Sequence, residues 1–193
     1  PVPFISIVIA ARNEASNIGP CLEQLTRQCY PPQSYEIIVV DDGSQDPTAS
    51  QVAPFVGTRG TGAAVKLMST TGSPGGGSPR DGSLEGGKKA ALSLGIESAQ
   101  GDIIATTDAD CSVSETWLRE VADCFEPRVG MVVGFSQIEV PGRIRGLRQG
   151  WEGVDFFFLM LAALGSVRLR RPMAASGQNL SFRREAFEEV GGY

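Results

Sequence analysis

The chain contains no histidine. That excludes histidine-based triads, histidine metal ligands and imidazole proton transfer, and leaves acid–base work to carboxylates, Lys, Cys or Tyr. Cysteine is scarce: four residues, at 21, 29, 111 and 124, with no pair at C-x-x-C spacing. That spacing argues against a zinc ribbon or a thioredoxin-like site. Scattered thiols without a visible secretion signal are expected to be reduced and mostly buried. No long apolar run occurs. The longest, Phe156 to Val167, is twelve residues with Gly165 and Ser166 included, whereas a membrane-spanning helix needs about 20. Excess positive charge is also missing: 17 basic against 22 acidic side chains give a net charge of -5. A nucleic-acid partner would call for the opposite sign and a basic face, so none is expected.

The acidity is uneven. Residues 1–110 hold 7 Lys/Arg and 12 Asp/Glu, while residues 111–193 hold 10 of each. An acidic half can hold an anionic ligand when a metal ion stands between them. The chain opens Pro-Val-Pro with no basic segment before its first apolar run, so no signal peptide is read there. At 193 residues it predicts one domain with a substantial core.

What is present is a succession of short β-branched runs. Phe4 to Ala10 and Tyr35 to Val40 are apolar on both faces, which suits strands buried in a parallel sheet. Ala64 to Met68, Asp102 to Thr107 and Val129 to Phe135 predict further strands. Helices are expected after Ser16 or Asn17 as N-cap, after Asp46-Pro47-Thr48, from Gly87 to Ala99, and from Ser114 to Phe125. Alternation of strand and helix predicts a mostly parallel α/β sheet with helices on both faces. Ligands of such sheets sit beyond the carboxyl ends of the strands, and two of those ends carry acid pairs.

Asp108-Ala109-Asp110 follows the fourth strand. Alternate residues of an extended segment point the same way, so both carboxylates can face one site. Mg2+ or Mn2+ takes one or two carboxylates plus phosphate oxygens of a substrate. Asp41-Asp42-Gly43-Ser44 follows the second strand. Adjacent acids there repel unless used. They suit hydrogen bonds from a base edge and ribose hydroxyls, or the ordinary turn chemistry of Asp-Gly-Ser.

Gly86-Gly87-Lys88-Lys89 opens a helix, where backbone N–H groups and a lysine favour phosphate. Gly82 to Lys88 fits seven positions of the nucleotide-binding G-x-x-x-x-G-K-[ST] pattern. The eighth is Lys89, and a long Gly/Ser/Pro loop from Ser69 separates it from its strand, which argues against that motif. Ala175 to Arg184 reads locally as a strand and turn before a helix. Its Asn179-Leu-Ser181 sequon is idle without secretion. Arg143, Arg145 and Arg148 precede Trp151 and the apolar run, and Arg168, Arg170 and Arg171 follow it. An apolar helix with basic flanks suits an anionic lipid surface, a core helix or an acceptor-site wall.

Five segments in this order resemble family 2 glycosyltransferases of the GT-A fold: Ser6 to Glu14, Val40 to Ser44, Gly87 to Leu92, Thr107 to Asp110, and Asn179 to Arg184 leading to Val190-Gly-Gly-Tyr193. The resemblance covers almost the whole chain. It implies a single domain with a donor half over 1–110 and a partial acceptor half over 111–193. The implied reaction is inverting transfer of a sugar from a nucleotide-diphosphate donor to a sugar or lipid-linked acceptor hydroxyl, with Mn2+ or Mg2+. Ala11, Glu14 and Asp42 would line the nucleoside pocket with Asp41 beside them, and Lys88 would be the donor-side lysine. Asp110 would ligate the metal, and Asp108 the ribose or the metal. Gly177, Gln178 and Asn179 would face donor phosphate and acceptor.

The family's base, a carboxylate some residues past Gly-Gly-Tyr, is expected beyond Tyr193. An isolated fragment would then bind donor but transfer poorly. The expected location is the cytoplasm, at the inner face of the membrane. Two other readings remain: a nucleotidyltransferase, which would want a glycine-rich loop where Ala10 to Glu14 stands, and a non-catalytic nucleotide- or lipid-binding module.

Overall fold

A computed structural model describes residues 2–57, 63–71, 87–136, 157–166 and 176–192. The glycine-rich loop beyond Thr71, the Gly82–Lys88 pattern up to Gly86, Trp151 and the six arginines from 143 to 171 lie outside the described residues.

The elements are β1 (Ile5–Ala11), α1 (Ile18–Leu25), β2 (Tyr35–Asp41), α2 (Thr48–Val52), β3 (Ala64–Ser69), α3 (Lys88–Ser98), β4 (Ile103–Thr106), α4 (Trp117–Cys124), β5 (Met131–Val133), a helix α5 over 157–166, β6 (Leu180–Arg183) and α6 (Arg184–Glu189). One six-stranded sheet has the order β3-β2-β1-β4-β6-β5. β1 to β4 run parallel; β6 is antiparallel to β4, and β5 antiparallel to β6.

The doubly apolar strands are buried on both sides, as a parallel sheet requires. Ile5, Ile7 and Ile9 of β1, Ile37 and Val39 of β2, and Ile103 of β4 pack against Ile18, Leu22 and Leu25 of α1 and Trp117, Leu118 and Val121 of α4. Val8, Ile38, Val40 and Ile104 point the other way, onto Ala91, Leu92 and Ile96 of α3 and Phe182 of β6. The alternation follows from the period of two in a strand. α3 lies close: a Cβ on Gly95 would stand 2.4 Å from Val8 Cγ1 and 3.1 Å from Val40 Cγ2.

At Gly101, before β4, the crowding is by main chain. A Cβ there would meet Ser6 N at 2.7 Å, Phe4 O at 2.8 Å and Ile103 O at 2.9 Å. Main-chain atoms held in a sheet cannot turn aside. Gly101→Ala is expected to cost about 3 kcal/mol, read as a lower urea midpoint with unchanged slope.

Two neighbouring arginines join the last strand to the rest. Arg183 donates to the carbonyls of Val129 (2.9 Å) and Glu126 (3.1 Å), and its guanidinium lies 5.4 Å from the centre of the Phe125 ring. Arg184 donates to the carbonyls of Gly101 (3.0 Å), Ile96 (3.3 Å) and Ala99. Arg183 thus reaches carbonyls of the segment that follows α4, and Arg184 carbonyls at and just past the end of α3.

Some local expectations need correction. Asn17 stands at the start of α1 but does not cap it with its side chain; its Nδ2 donates to Glu14 Oε2 at 2.7 Å. The helix expected from Ser114 begins at Trp117, because 114–116 form a turn closed by Trp117 N on Ser114 O at 3.1 Å. β5 is shorter than the 129–135 run; its ladder ends where Gly134 N reaches Asn179 O at 2.8 Å. Of the four free thiols, only Cys21 is buried; Cys29 and Cys124 are exposed, since they sit past α1 and at the outer end of α4. Among the described residues, no helix is long and apolar enough to cross a membrane.

Candidate active site

The carboxyl edge of the parallel strands gathers the polar residues. Ala11 of β1 pairs with Asp41 of β2, and Val8 with Thr106 of β4. Asp108, two residues past Thr106, therefore stands at about the height of Ala10. Strands are ~4.8 Å apart, so the tips of β2 and β4 flank β1 across about 10 Å.

The loops after β1 and β2 are laced together. Asn13, at φ 58°, occupies the left-handed region that Asn tolerates better than most side chains. Its N–H donates to Ser44 Oγ (2.9 Å), and its Oδ1 accepts from Gln45 N (2.8 Å). Glu14 N donates to Thr48 Oγ1 (2.8 Å) and Ala15 N to Asp46 Oδ2 (3.0 Å). Asp46 also accepts from the N–H of Thr48 at 3.0 Å. The Thr48 hydroxyl, first of its causes, and these backbone donors hold the Asp46 carboxyl below the usual range. The result is a stiff rim built before any ligand arrives.

Asp41 and Asp42 divide the two readings of their motif. Asp41 Oδ1 accepts from Ser44 N at 3.1 Å, which is turn chemistry. Asp42 is buried, with its N–H on Ala11 O at 2.8 Å. Its Oδ1 accepts from the Thr70 hydroxyl at 3.0 Å, and its Oδ2 lies 3.9 Å from the Arg12 guanidinium. Thr70 and Arg12 were not singled out from the sequence; Thr70 sat inside a segment read only as loop.

At the tip of β4, Lys88 Nζ donates to Asp108 Oδ1 at 2.6 Å. Lys88 opens α3, and the close seat of Gly95 two turns later fixes the start of that helix above the strand ends. The Asp108 carbonyl accepts from Cys111 N at 3.1 Å, which rolls the chain over after the strand. Asp110 is exposed, and among the described residues only the Cys111 thiol approaches its carboxylate, at 3.8 Å. Cys21 lies under the same turn, with Sγ 3.9 Å from Asp108 O. Burial, then Cys111, Asp110 and Asp108, push the Cys21 thiol up to about 12. Burial also raises Cys111, with the two acids adding to it. Both sulfurs are therefore protonated near neutral pH and unsuited to nucleophilic work.

Gly177–Asn179 forms a 3-10 turn held against the end of β4. Thr106 Oγ1 donates to Gly177 O (2.9 Å) or Leu180 O (3.2 Å). Asn179 Oδ1 accepts from Trp117 Nε1 at 3.0 Å, and the Asn179 amide fills the space beside Gly134. The turn presents Gly177 and Gln178 outward while Asn179 anchors it to α4. No distance places it against Asp110.

Among the described residues, no three Cys, Asp or Glu side chains lie close enough to enclose a metal ion. A hard dication that takes one or two carboxylates and completes its shell with phosphate oxygens and water needs no such cage. Residues 108–110 do not take the extended form expected: Cys111 N on Asp108 O, at 3.1 Å, closes a turn there, and Asp108 and the exposed Asp110 are the carboxylates that could serve such an ion.

An open α/β sheet with a mixed far edge and an acid-rich carboxyl edge is the architecture of the GT-A sugar transferases. The sequence pattern of the family described as glycosyl transferase family 2 matches residues 6–76 and 80–191, and the chain belongs to that family. It is 34% identical over 141 residues to glycosyltransferase AglE of Haloferax volcanii, covering 72% of this chain and 41% of that protein. It is 31% identical over 202 residues to the beta-monoglucosyldiacylglycerol synthase of a Synechocystis strain, covering 100% of this chain and 37% of that protein. Among solved structures it resembles mannosyltransferase PcManGT from Pyrobaculum calidifontis in complex with GDP-Man and Mn2+. The TM-score is 0.70 at 26% identity, over 100% of this chain and 48% of that one. The chain thus spans less than half the length of each.

Proposed function

We propose that this chain is the donor-binding part, over 1–110, and a portion of the acceptor side, over 111–193, of an inverting glycosyltransferase that uses Mn2+ or Mg2+. The donor is a nucleotide-diphosphate sugar and the acceptor a hydroxyl of a sugar or a membrane lipid. The observation that carries the reading is the contact of Lys88 with Asp108 at the tip of β4, Nζ to Oδ1 2.6 Å, at the edge where open α/β sheets bind ligands, with Asp110 two residues further along the chain.

The rim of Ala11, Glu14, Asp41 and Asp42 receives the nucleoside. Asp42, whose carboxylate keeps acceptor capacity beyond its bond to Thr70, takes N–H donors of the base. Lys88 and the free N–H groups opening α3 hold diphosphate oxygens. Asp110 and Asp108 would hold the metal, which when bound neutralises charge on the leaving diphosphate. Gly177, Gln178 and Asn179 border the acceptor. Its hydroxyl attacks the anomeric carbon on the face opposite the diphosphate; the carbon–oxygen bond to phosphate breaks, and the proton passes to a carboxylate that the resemblance puts past Tyr193. Holding the two reactants in line, and shielding them from water, is the work of these side chains.

A lipid acceptor is favoured by α5. Phe157, Phe158, Leu159, Leu161 and Leu164 are all exposed on this helix, and Phe157 stacks edge-on with exposed Phe135 at 5.9 Å between ring centres. Such a surface suits work at the inner face of a membrane. A thermal-shift series tests the donor reading. UDP or GDP at 100 times its Kd, with Mn2+, is expected to raise Tm by about 5–10 °C, with a smaller rise in EDTA. No shift with any nucleoside diphosphate, with or without metal, overturns it.

A further inference from the structure

Among the described residues, Lys88 is the positively charged group in contact with Asp108 at the β4 tip. Its ammonium lies 2.6 Å from Asp108 Oδ1, with the lysine side chain 55% exposed and the aspartate's 21%. Among the described residues no donor other than Lys88 reaches the Asp108 carboxylate, and none but the Cys111 thiol reaches that of Asp110. The lysine cannot drift far. Its Cα opens α3, and that helix is pressed onto β1 and β2 at Gly95, where even a methyl group would collide with Val8. Only its flexible side chain can move, and half of it faces water.

Lys88 occupies Oδ1 of Asp108, and an ammonium and a divalent cation held on one carboxylate repel each other where water is partly excluded. A bare cation therefore binds Asp108 against the opposition of Lys88. A nucleoside diphosphate changes the balance. Its oxygens, set against the start of α3, offer Lys88 more negative charge than one carboxylate does. The lysine swings from Asp108 to phosphate, and the aspartate pair becomes available.

We infer that Lys88 is a built-in competitor of the metal: it opposes cation binding at Asp108 until a diphosphate draws it away, so that metal and nucleotide bind with strong positive coupling. This rests on the donor reading above and adds an order to it. Coupling of this kind is reciprocal by thermodynamic necessity.

The test measures Mn2+ binding to the full chain by the loss of the free-ion EPR signal, alone and with saturating UDP or GDP, for the parent and for Lys88→Met. Lys88 is exposed, and an unchanged circular dichroism melt confirms that the variant folds. In the parent, nucleotide is expected to tighten Mn2+ binding at least 30-fold. In Lys88→Met, Mn2+ alone is expected to bind about 10-fold tighter than to the parent, while either nucleotide in EDTA binds about 10-fold weaker. The coupling factor then falls about 10-fold, leaving the part that comes from direct attraction between metal and diphosphate. Lys88→Arg, which keeps the charge, is expected to retain most of the coupling. Unchanged or weaker Mn2+ binding in Lys88→Met, with nucleotide binding intact in the parent, overturns the inference and leaves the donor reading standing. Failure of the parent to bind either nucleotide removes both.

Discussion

Asp110→Ala is expected to weaken UDP or GDP binding about 100-fold in Mn2+ and to leave binding in EDTA within threefold of the parent. A hundredfold is about 2.7 kcal/mol, within the several kcal/mol that a dication supplies to a diphosphate. The physical ground is the exposure of Asp110. Among the described residues its carboxylate meets only the Cys111 thiol, at 3.8 Å, so its removal breaks no ion pair with them and, at an exposed position, opens no cavity. Stability is therefore expected to stay within about 0.5 kcal/mol of the parent, as for other surface changes. Asp110→Asn keeps the shape and loses the charge; it is expected to fall nearer to alanine than to the parent. Calorimetric titrations in Mn2+ and in EDTA separate the metal-dependent part from the rest. Equal affinity of parent and Asp110→Ala in Mn2+ would remove Asp110 from the metal site.

Much of this site could be read from residues alone, for a simple reason. A parallel strand buried on both faces is an unbroken apolar run, and where it leaves the sheet the first polar residues stand at the ligand edge. Val39-Val40 into Asp41-Asp42, and Ala105 to Thr107 into Asp108, mark that edge without any tertiary information. The same logic placed β1 to β4 and α3 to within a residue or two. It failed where structure depends on partners far along the chain. Ala175 to Arg184 reads as a strand leading to a helix, and β6 and α6 stand there, but the antiparallel pairing of β6 to β4, which couples Thr106 with Leu180, is announced by no local pattern. Arg183 and Arg184 stood in the Asn179–Arg184 segment with no role of their own, yet each binds carbonyls at or beyond the end of a helix more than fifty residues away. Thr70 sat in a Gly/Ser/Pro segment with nothing to suggest its bond to Asp42. The cysteines went wrong for the opposite reason: a general burial preference was applied to Cys29 past α1, Cys111 in a turn and Cys124 at the end of α4, none of which is buried.

The division of labour across the sheet is also physical. At the carboxyl edge, Asp110 keeps its carboxylate almost unpartnered among the described residues, and Lys88 and Asp108 hold each other through flexible side chains, so charge there is available. At the opposite edge the buried charge is fully engaged. Glu36 is 2% exposed. Its Oε1 accepts from the Ser6 hydroxyl and from Gln100 N, each at 2.7 Å, and its Oε2 lies 2.7 Å from Lys66 Nζ. Ser6 Oγ in turn accepts from Gly101 N at 2.8 Å. One carboxylate thus ties β1, β2, β3 and the turn into β4, and the four strands whose far ends make the site are pinned at their near ends.

That network predicts a large and pH-dependent stability effect. Burial alone would raise the Glu36 carboxyl, but the bonds from Lys66, Gln100 and Ser6 outweigh it and hold the group below its ordinary value. A carboxyl depressed in the folded state adds stability above its unfolded pKa of about 4.3, and that stability is lost as the pH falls through the lower folded value. Glu36→Gln keeps the shape but removes the charge, leaving Lys66 without its counter-ion. Lys66 is 38% exposed and can turn toward water, so the cost is set at about 3 kcal/mol at pH 7, the low end for breaking a buried pair. Urea midpoints of parent and variant are expected to differ most between pH 6 and 8 and to converge steadily below about pH 5, because the parent then loses the interaction that the variant never had. A gap that stays constant down to pH 3 would assign the loss to packing and not to the ionised carboxylate.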